Sequence, residues 1–224
     1  VPPALSLQIH NEIPLGMGCG SSAAALLAGV LLANHFGKLN WSGQQILEEA
    51  CRREGHPDNV AACYLGGMTA SAMDGSRVVT ATCGQNLTWN LLLALPSTSL
   101  ATEKARALLP PTYTREDAIA NIQATALLVS AFAQNRPDLL HVAMPDRIHQ
   151  PYRMEACPLL QLLLPLNGHP DVLWVALSGA GPSVLVIAED ETVAKKLPQI
   201  IREAANDPAL EILTTTIAQG LLQG

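Results

Sequence analysis

The chain has 224 residues, 49% of them apolar and 14% charged, which describes a compact globular protein and excludes a disordered one. A formal net charge of −6 argues against a nucleic-acid or anionic-membrane surface, so neither partner is expected. No apolar run reaches the length of a bilayer span, and five scattered cysteines without a Cys-x-x-Cys pair read as reduced thiols of a cytoplasmic protein, with no zinc site.

Residues Ala4 to His10 alternate Leu5, Leu7 and Ile9 with Ser6, Gln8 and His10, the pattern of a half-buried strand. The stretch that follows is Pro14-Leu15-Gly16-Met17-Gly18-Cys19-Gly20-Ser21-Ser22-Ala23-Ala24. Its alternating glycines free the backbone for positive φ and for close approach to a ligand. From Ala23 the apolar residues recur at helical spacing, which predicts a helix from Ser21 to Phe36 ended by Gly37. A glycine-rich loop feeding a helix start is an anion cradle, because the first amides have no internal partners and the dipole adds positive charge. Phosphate is its usual occupant. The bland alternative is a linker capped by Ser21 or Ser22. Neither a Walker P-loop nor a dinucleotide fingerprint is present, and Cys19 has no base beside it to make it a nucleophile.

Ser42 caps a second predicted helix that runs to Glu54. Glu48 and Glu49 stand four residues before Arg52 and Arg53 and read as surface pairs. Glu54 instead falls on the face of Leu47, Ala50 and Cys51. An inward carboxylate needs a partner, and in a phosphate site a metal ion is the obvious one; otherwise Glu54 sits at a frayed helix end. In Gly55-His56-Pro57-Asp58-Asn59-Val60, Asp58 reads as the cap of a short helix to Leu65.

Strands are predicted at Met68–Met73, Arg77–Thr82 and Leu87–Leu95, the first two joined by a tight Asp74-Gly75 turn. A helix from Thr102 to Leu109 puts Thr102 and Arg106 one turn apart on one face. A long helix, Arg115–Gln134, has Ile119, Ile122, Ala126 and Val129 as its expected core stripe. A short helix follows Pro137, and then Asp146-Arg147-Ile148-His149-Gln150-Pro151-Tyr152-Arg153 brackets a turn with two arginines, Arg147 reading as surface. The remainder reads helix (Cys157–Leu166), strand (Val172–Leu177), glycine loop (Ser178–Pro182), strand (Ser183–Glu189), helix (Thr192–Ala205) and strand (Leu210–Ile217). The fold class is α+β, ending in a ferredoxin-like antiparallel sheet with helices on one face.

The pattern Pro-x-x-x-Gly-x-Gly-Ser-Ser-Ala-Ala from Pro14 to Ala24 resembles the ATP-binding motif of the GHMP kinases, named for galactokinase, homoserine kinase, mevalonate kinase and phosphomevalonate kinase. Gly55–Val60 and Ser178-Gly179-Ala180-Gly181-Pro182-Ser183 are similar to the homoserine kinase branch in particular. The resemblance implies a two-part GHMP fold with its N-terminal part incomplete. Residues 1–85 would be the remainder of the ATP-binding domain, and 86–224 the C-terminal ferredoxin-like domain. It also implies ATP as co-substrate, Mg²⁺, a homodimer, and phosphorylation of L-homoserine to O-phospho-L-homoserine on the route to threonine. Ser22 would join Glu54 in holding Mg²⁺. His56 and Asn59 would line the acceptor site, with Asn59 on the attacking hydroxyl. Thr102, Arg106 and Arg153 would grip the substrate, its carboxylate between the two arginines, with Asn59 and Arg106 the catalytic pair. Gly179-Ala180-Gly181 would lean on the phosphate loop. Adenine and ammonium contacts would come from the absent N-terminal portion. The alternatives are a GHMP kinase acting on mevalonate or a sugar, and a catalytically silent nucleotide-binding fragment.

Overall fold

Two antiparallel sheets and their helices make up the structure, a computed structural model that describes residues 6–98, 105 and 107–221. Helix α1 spans Ser21–Gly37. Its N-cap is Gly20 at φ 75°, with no side-chain cap, so neither Ser21 nor Ser22 is spent on capping. Helix α2, Gly43–Glu54, starts from a reciprocal capping box between Ser42 and Gln45 and stops at Gly55, φ 89°. Helix α3 spans Asp58–Leu65. The three pack through Ala23, Leu27, Ile46, Leu47, Cys51, Val60 and Tyr64. Burying each larger apolar side chain contributes about 1.5–3 kcal/mol, and together they lock the start of α1 against the end of α2.

Strands β1 (Met68–Asp74) and β2 (Arg77–Cys83) form a separate hairpin. Asp74 pairs with Arg77, so the two-residue turn is Gly75-Ser76 instead of Asp74-Gly75, with Gly75 at φ 61°. The four-stranded sheet runs β4-β5-β3-β6, with β3 (Asn90–Leu95), β4 (Trp174–Leu177), β5 (Val184–Ala188) and β6 (Glu211–Thr216) all antiparallel. This is the ferredoxin-like order. The long helix α4 is Arg115–Gln134, as the sequence predicts, and is capped by Thr114. Helices α5 (Pro158–Leu163) and α6 (Leu197–Ala205) cover one sheet face, Leu160, Leu163, Leu197 and Ile201 packing on Leu92, Val175, Val184 and Val186. The other face carries a smaller cluster of Trp89, Leu140 and Ile187 with Phe132.

Several expectations need correction. Residues 6–10 form no strand, and Leu7 and Ile9 are 63% and 75% exposed; among the described residues no strand lies beside them to supply a ladder. In α4 most of the expected stripe faces solvent: Ile119 and Ile122 are 45% and 69% exposed and Ala126 is exposed too, Val129 alone of the four being half-buried, while Leu128, Ala131 and Phe132 make the contact. Apolar residues surround this helix, so periodicity alone does not choose a face; the edge-to-face contact of Phe132 with Trp89 at 4.9 Å does. The helix expected over Thr192–Ala205 is two, Glu191–Ala194 and α6, because the Pro198 ring would clash with the carbonyl of residue 194. Likewise Cys157–Leu166 is α5 followed by a 3₁₀ turn from Leu164 to Gly168. Asp58 is the first residue of α3, after the already helical Pro57 at the N-cap position, but its Oδ1 still accepts the Asn59 amide at 2.7 Å. Glu49 alone takes both Arg52 and Arg53, at 2.8 and 2.6 Å, while Glu48 accepts from Gln44 at 2.7 Å. Of the helix expected at Thr102–Leu109, Ala105 and Ala107 are helical; Thr102 and Arg106 lie outside the described residues.

Candidate active site

The glycine loop carries Gly16, Gly18 and Gly20 at φ 70°, 75° and 75°, so each second residue turns the backbone into the left-handed region. At Gly18 the need for glycine is also steric. A Cβ there would lie 2.2 Å from the Ser178 carbonyl oxygen and 2.9 Å from that of Gly181. The turn between β4 and β5 is thus seated on the loop, and the Ser178 hydroxyl donates to the Gly18 carbonyl at 3.1 Å. That turn is itself closed by Ser178 N–H to the Ser183 carbonyl (2.9 Å) and Gly181 N–H to the Ser178 carbonyl (2.8 Å).

Across the helix start stands the last residue of α2. The Ser22 hydroxyl donates to Glu54 Oε2 at 3.1 Å, a contact between residues 32 apart in sequence. The half-buried carboxylate and the hydroxyl therefore put two hard oxygen donors side by side at the mouth of the cradle. Mg²⁺ takes one or two protein oxygens plus phosphate and water, so this donor set fits it. Behind them Gly20 faces Asn59, whose Cβ, Cγ and Oδ1 are all 3.9 Å from where a Gly20 Cβ would stand. His56 is held through Nδ1 by the Asp58 carboxylate.

The opposite wall is the turn at residues 146–153. Arg153 is buried, at 4% exposure. Its Nε donates to the Ala105 carbonyl at 2.9 Å and its Nη1 meets His149 Nε2. The turn is wound around Asp146, whose carboxylate accepts from the amides of Ile148 (3.0 Å), His149 (3.1 Å) and Gln150 (2.6 Å) and from Asn121 Nδ2 (3.0 Å). Burial opposes ionisation of Asp146, but the His149 ring and these hydrogen bonds outweigh it and hold the acid well below the ordinary carboxylate range. Gln150 Oε1 ties the turn to β4 by accepting from the Leu177 amide at 2.7 Å. Arg147 lies on the surface near Glu116 and Asp117, at 3.7 and 3.6 Å.

Both walls face one cleft of about 280 Å³, lined by the loop from Gly16 to Ser22 except Met17, by Glu54, His56 and Asn59, and by His149 and Arg153. Of the loop stretch, Pro14, Leu15, Met17, Ala23 and Ala24 do not line it; the Ala23 methyl is fully buried in the helical core and Leu15 is 70% exposed. Cys19 lines the cleft with its thiol pKa raised by burial, against a smaller opposing hydrogen bond with Ser183, which makes it a poor nucleophile. Sequence reasoning missed His149 and the cleft-lining role of Asp58. The available signal for His149 was only its place in sequence between Asp146 and Arg153; the short helix begins after it, at Gln150, so no helical spacing marked it.

Residues 2–67 match the family described as GHMP kinases N terminal domain, and residues 128–207 match GHMP kinases C terminal. A homoserine kinase of Solibacter usitatus is 47% identical over 220 residues, covering 97% of this chain and 71% of that protein. The homoserine kinase of Schizosaccharomyces pombe is 37% identical over 219 residues, covering 84% of this chain and 65% of its own length. Among solved structures, a homoserine kinase from Cytophaga hutchinsonii superimposes with a TM-score of 0.83 at 24% identity, over 94% of this chain and 69% of its own. A mevalonate kinase of L. major gives a TM-score of 0.65 at 15% identity, over 91% and 68%, a likeness of fold alone.

Proposed function

This chain belongs to the GHMP kinases, within their homoserine kinase branch, and we propose on that premise that it transfers the γ-phosphoryl group of ATP to the side-chain hydroxyl of L-homoserine. The observation that carries the reading to these residues is the Ser22–Glu54 hydrogen bond at the mouth of a glycine cradle, in the same cleft as a buried arginine. One wall suits polyphosphate and its counter-ion; the other suits a carboxylate.

Phosphoryl transfer asks mainly for positioning and charge neutralisation. The loop amides and the α1 dipole hold the phosphates. Ser22 and Glu54 would hold Mg²⁺, which when bound neutralises charge on the β and γ phosphoryl oxygens. Arg153 clamps the substrate carboxylate, a task for which its planar fork is suited. Arg106 and Thr102, outside the described residues, belong to the same clamp. Asn59 aims the hydroxyl at the γ-phosphorus, with His56 beside it. An amide removes no proton, so the hydroxyl proton leaves late, toward the phosphoryl oxygens. The same reading divides the chain near residue 85 and makes the protein a cytoplasmic homodimer.

A coupled assay of ADP release with L-homoserine, mevalonate and galactose as acceptors tests the reading. Homoserine alone is expected to support turnover. Turnover on either of the others at comparable kcat/KM, or ATP binding with no transfer to homoserine, overturns it.

A further inference from the structure

Arg153 is a donor-only group, and so is everything it presents to the cleft. Its Nη1 nevertheless meets a ring nitrogen, Nε2 of His149. That contact is a hydrogen bond only if Nε2 carries a lone pair, which fixes the imidazole as neutral with its proton on Nδ1. The other end of the ring agrees, since Nδ1 lies 3.5 Å from Asp146 Oδ2. Asp146 is in turn committed to its ionised form by three backbone amides and Asn121. Carboxylate, imidazole and guanidinium form one line, anchored at the acid and ending in the cleft.

We propose that His149 is a positioning residue for Arg153: the neutral imidazole, oriented by Asp146, fixes the guanidinium where it meets the substrate carboxylate. The inference rests on the carboxylate-clamp reading given above. Arg153 Nε is already bound to the Ala105 carbonyl, which sets one edge of the guanidinium; His149 sets its rotation about that edge. An imidazolium would present N–H to N–H and set two cations against each other. Among the described residues His149 touches Asp146 and Arg153 on its own turn and shares the cleft with Glu54, His56, Asp58 and the Cys19 thiol.

Two measurements on the intact chain test this. In the first, the nitrogen-15 spectrum of the histidine rings at pH 7.5 is expected to show His149 neutral and protonated at Nδ1. A charged ring, or a proton on Nε2, overturns the relay without reference to activity. In the second, His149→Ala and His149→Gln are compared with the unaltered chain. His149→Ala is expected to raise KM for homoserine about tenfold, with kcat and KM for ATP within about twofold, the size of one charge-assisted hydrogen bond lost from a clamp. His149→Gln, whose Oε1 accepts from Arg153, should restore KM to within about threefold. An unchanged KM in His149→Ala, or no recovery of KM in His149→Gln, refutes the positioning role. Should the unaltered chain release no ADP with homoserine, the kinase reading falls, and the relay then stands or falls on the ring spectrum.

Discussion

The two walls of the cleft are made differently. The wall proposed for phosphate is backbone: glycines in the left-handed region, a helix start, and a second glycine turn pressed against it at Gly18. The wall proposed for the substrate carboxylate is side chain: a buried arginine in contact with a histidine, which an acid flanks, and with a borrowed carbonyl from residue 105. A backbone site tolerates no added atom, because its donors cannot move aside. A side-chain site tolerates small changes of shape but not loss of a charge or of the group that aims it.

Substitutions sharpen that contrast, beginning with the most damaging. Gly18→Ala drives a Cβ to 2.2 Å from the Ser178 carbonyl and strains a residue at φ 75°, so the seam between the two glycine turns must open. A loss on the order of 3 kcal/mol or more in ATP binding is expected, read by nucleotide titration and accompanied by a lower melting temperature. Full ATP affinity in this variant would show that the two turns are not interlocked. Arg153→Ala removes a charged contact from the other wall. A fall of roughly 30- to 1000-fold in kcat/KM for homoserine is expected, about 2–4 kcal/mol, with ATP affinity little altered. Equal damage to both substrates would erase the distinction between the walls.

Asp146→Asn acts one step further back. The carboxylate is held ionised in the folded chain, its pKa lying below the unfolded value. Its stabilisation is therefore present above about pH 4 and is lost as pH falls through the folded pKa. The variant should be less stable by about 1–3 kcal/mol at neutral pH, and that difference should shrink on acidification. Thermal melts from pH 7 to pH 3 give the comparison; a constant difference would mean that charge plays no part.

What could be read from the sequence follows the same division. The cradle, the helix behind it and the inward Glu54 were legible because each is a local pattern: alternating glycines, a 3.6-residue period, and one carboxylate in register with Leu47, Ala50 and Cys51. The ferredoxin-like sheet was legible from the order of its apolar strands and helices, whereas the one alternating stretch, residues 4–10, misled, since its described part, residues 6–10, forms no strand. The register of α4 was not, since several of its faces are apolar and the cluster around Trp89, Leu140 and Ile187 selects the one that packs. His149 was passed over for a related reason. Nothing in an isolated turn says that Arg153 will be buried, and an arginine at a surface turn would need no aiming. Asp58 was read as a cap because its type suits one, but Pro57 had already taken the position.

The central claim is that Ser22 and Glu54 together hold the nucleotide's metal ion at the cradle. Glu54→Gln keeps the shape and a hydrogen-bonding partner for Ser22 while removing the charge. ADP release titrated with Mg²⁺ at saturating ATP and homoserine is expected to need on the order of 10- to 100-fold more metal in this variant, with metal-free ATP affinity unchanged. Coincident Mg²⁺ curves for the variant and the unaltered chain would contradict the claim.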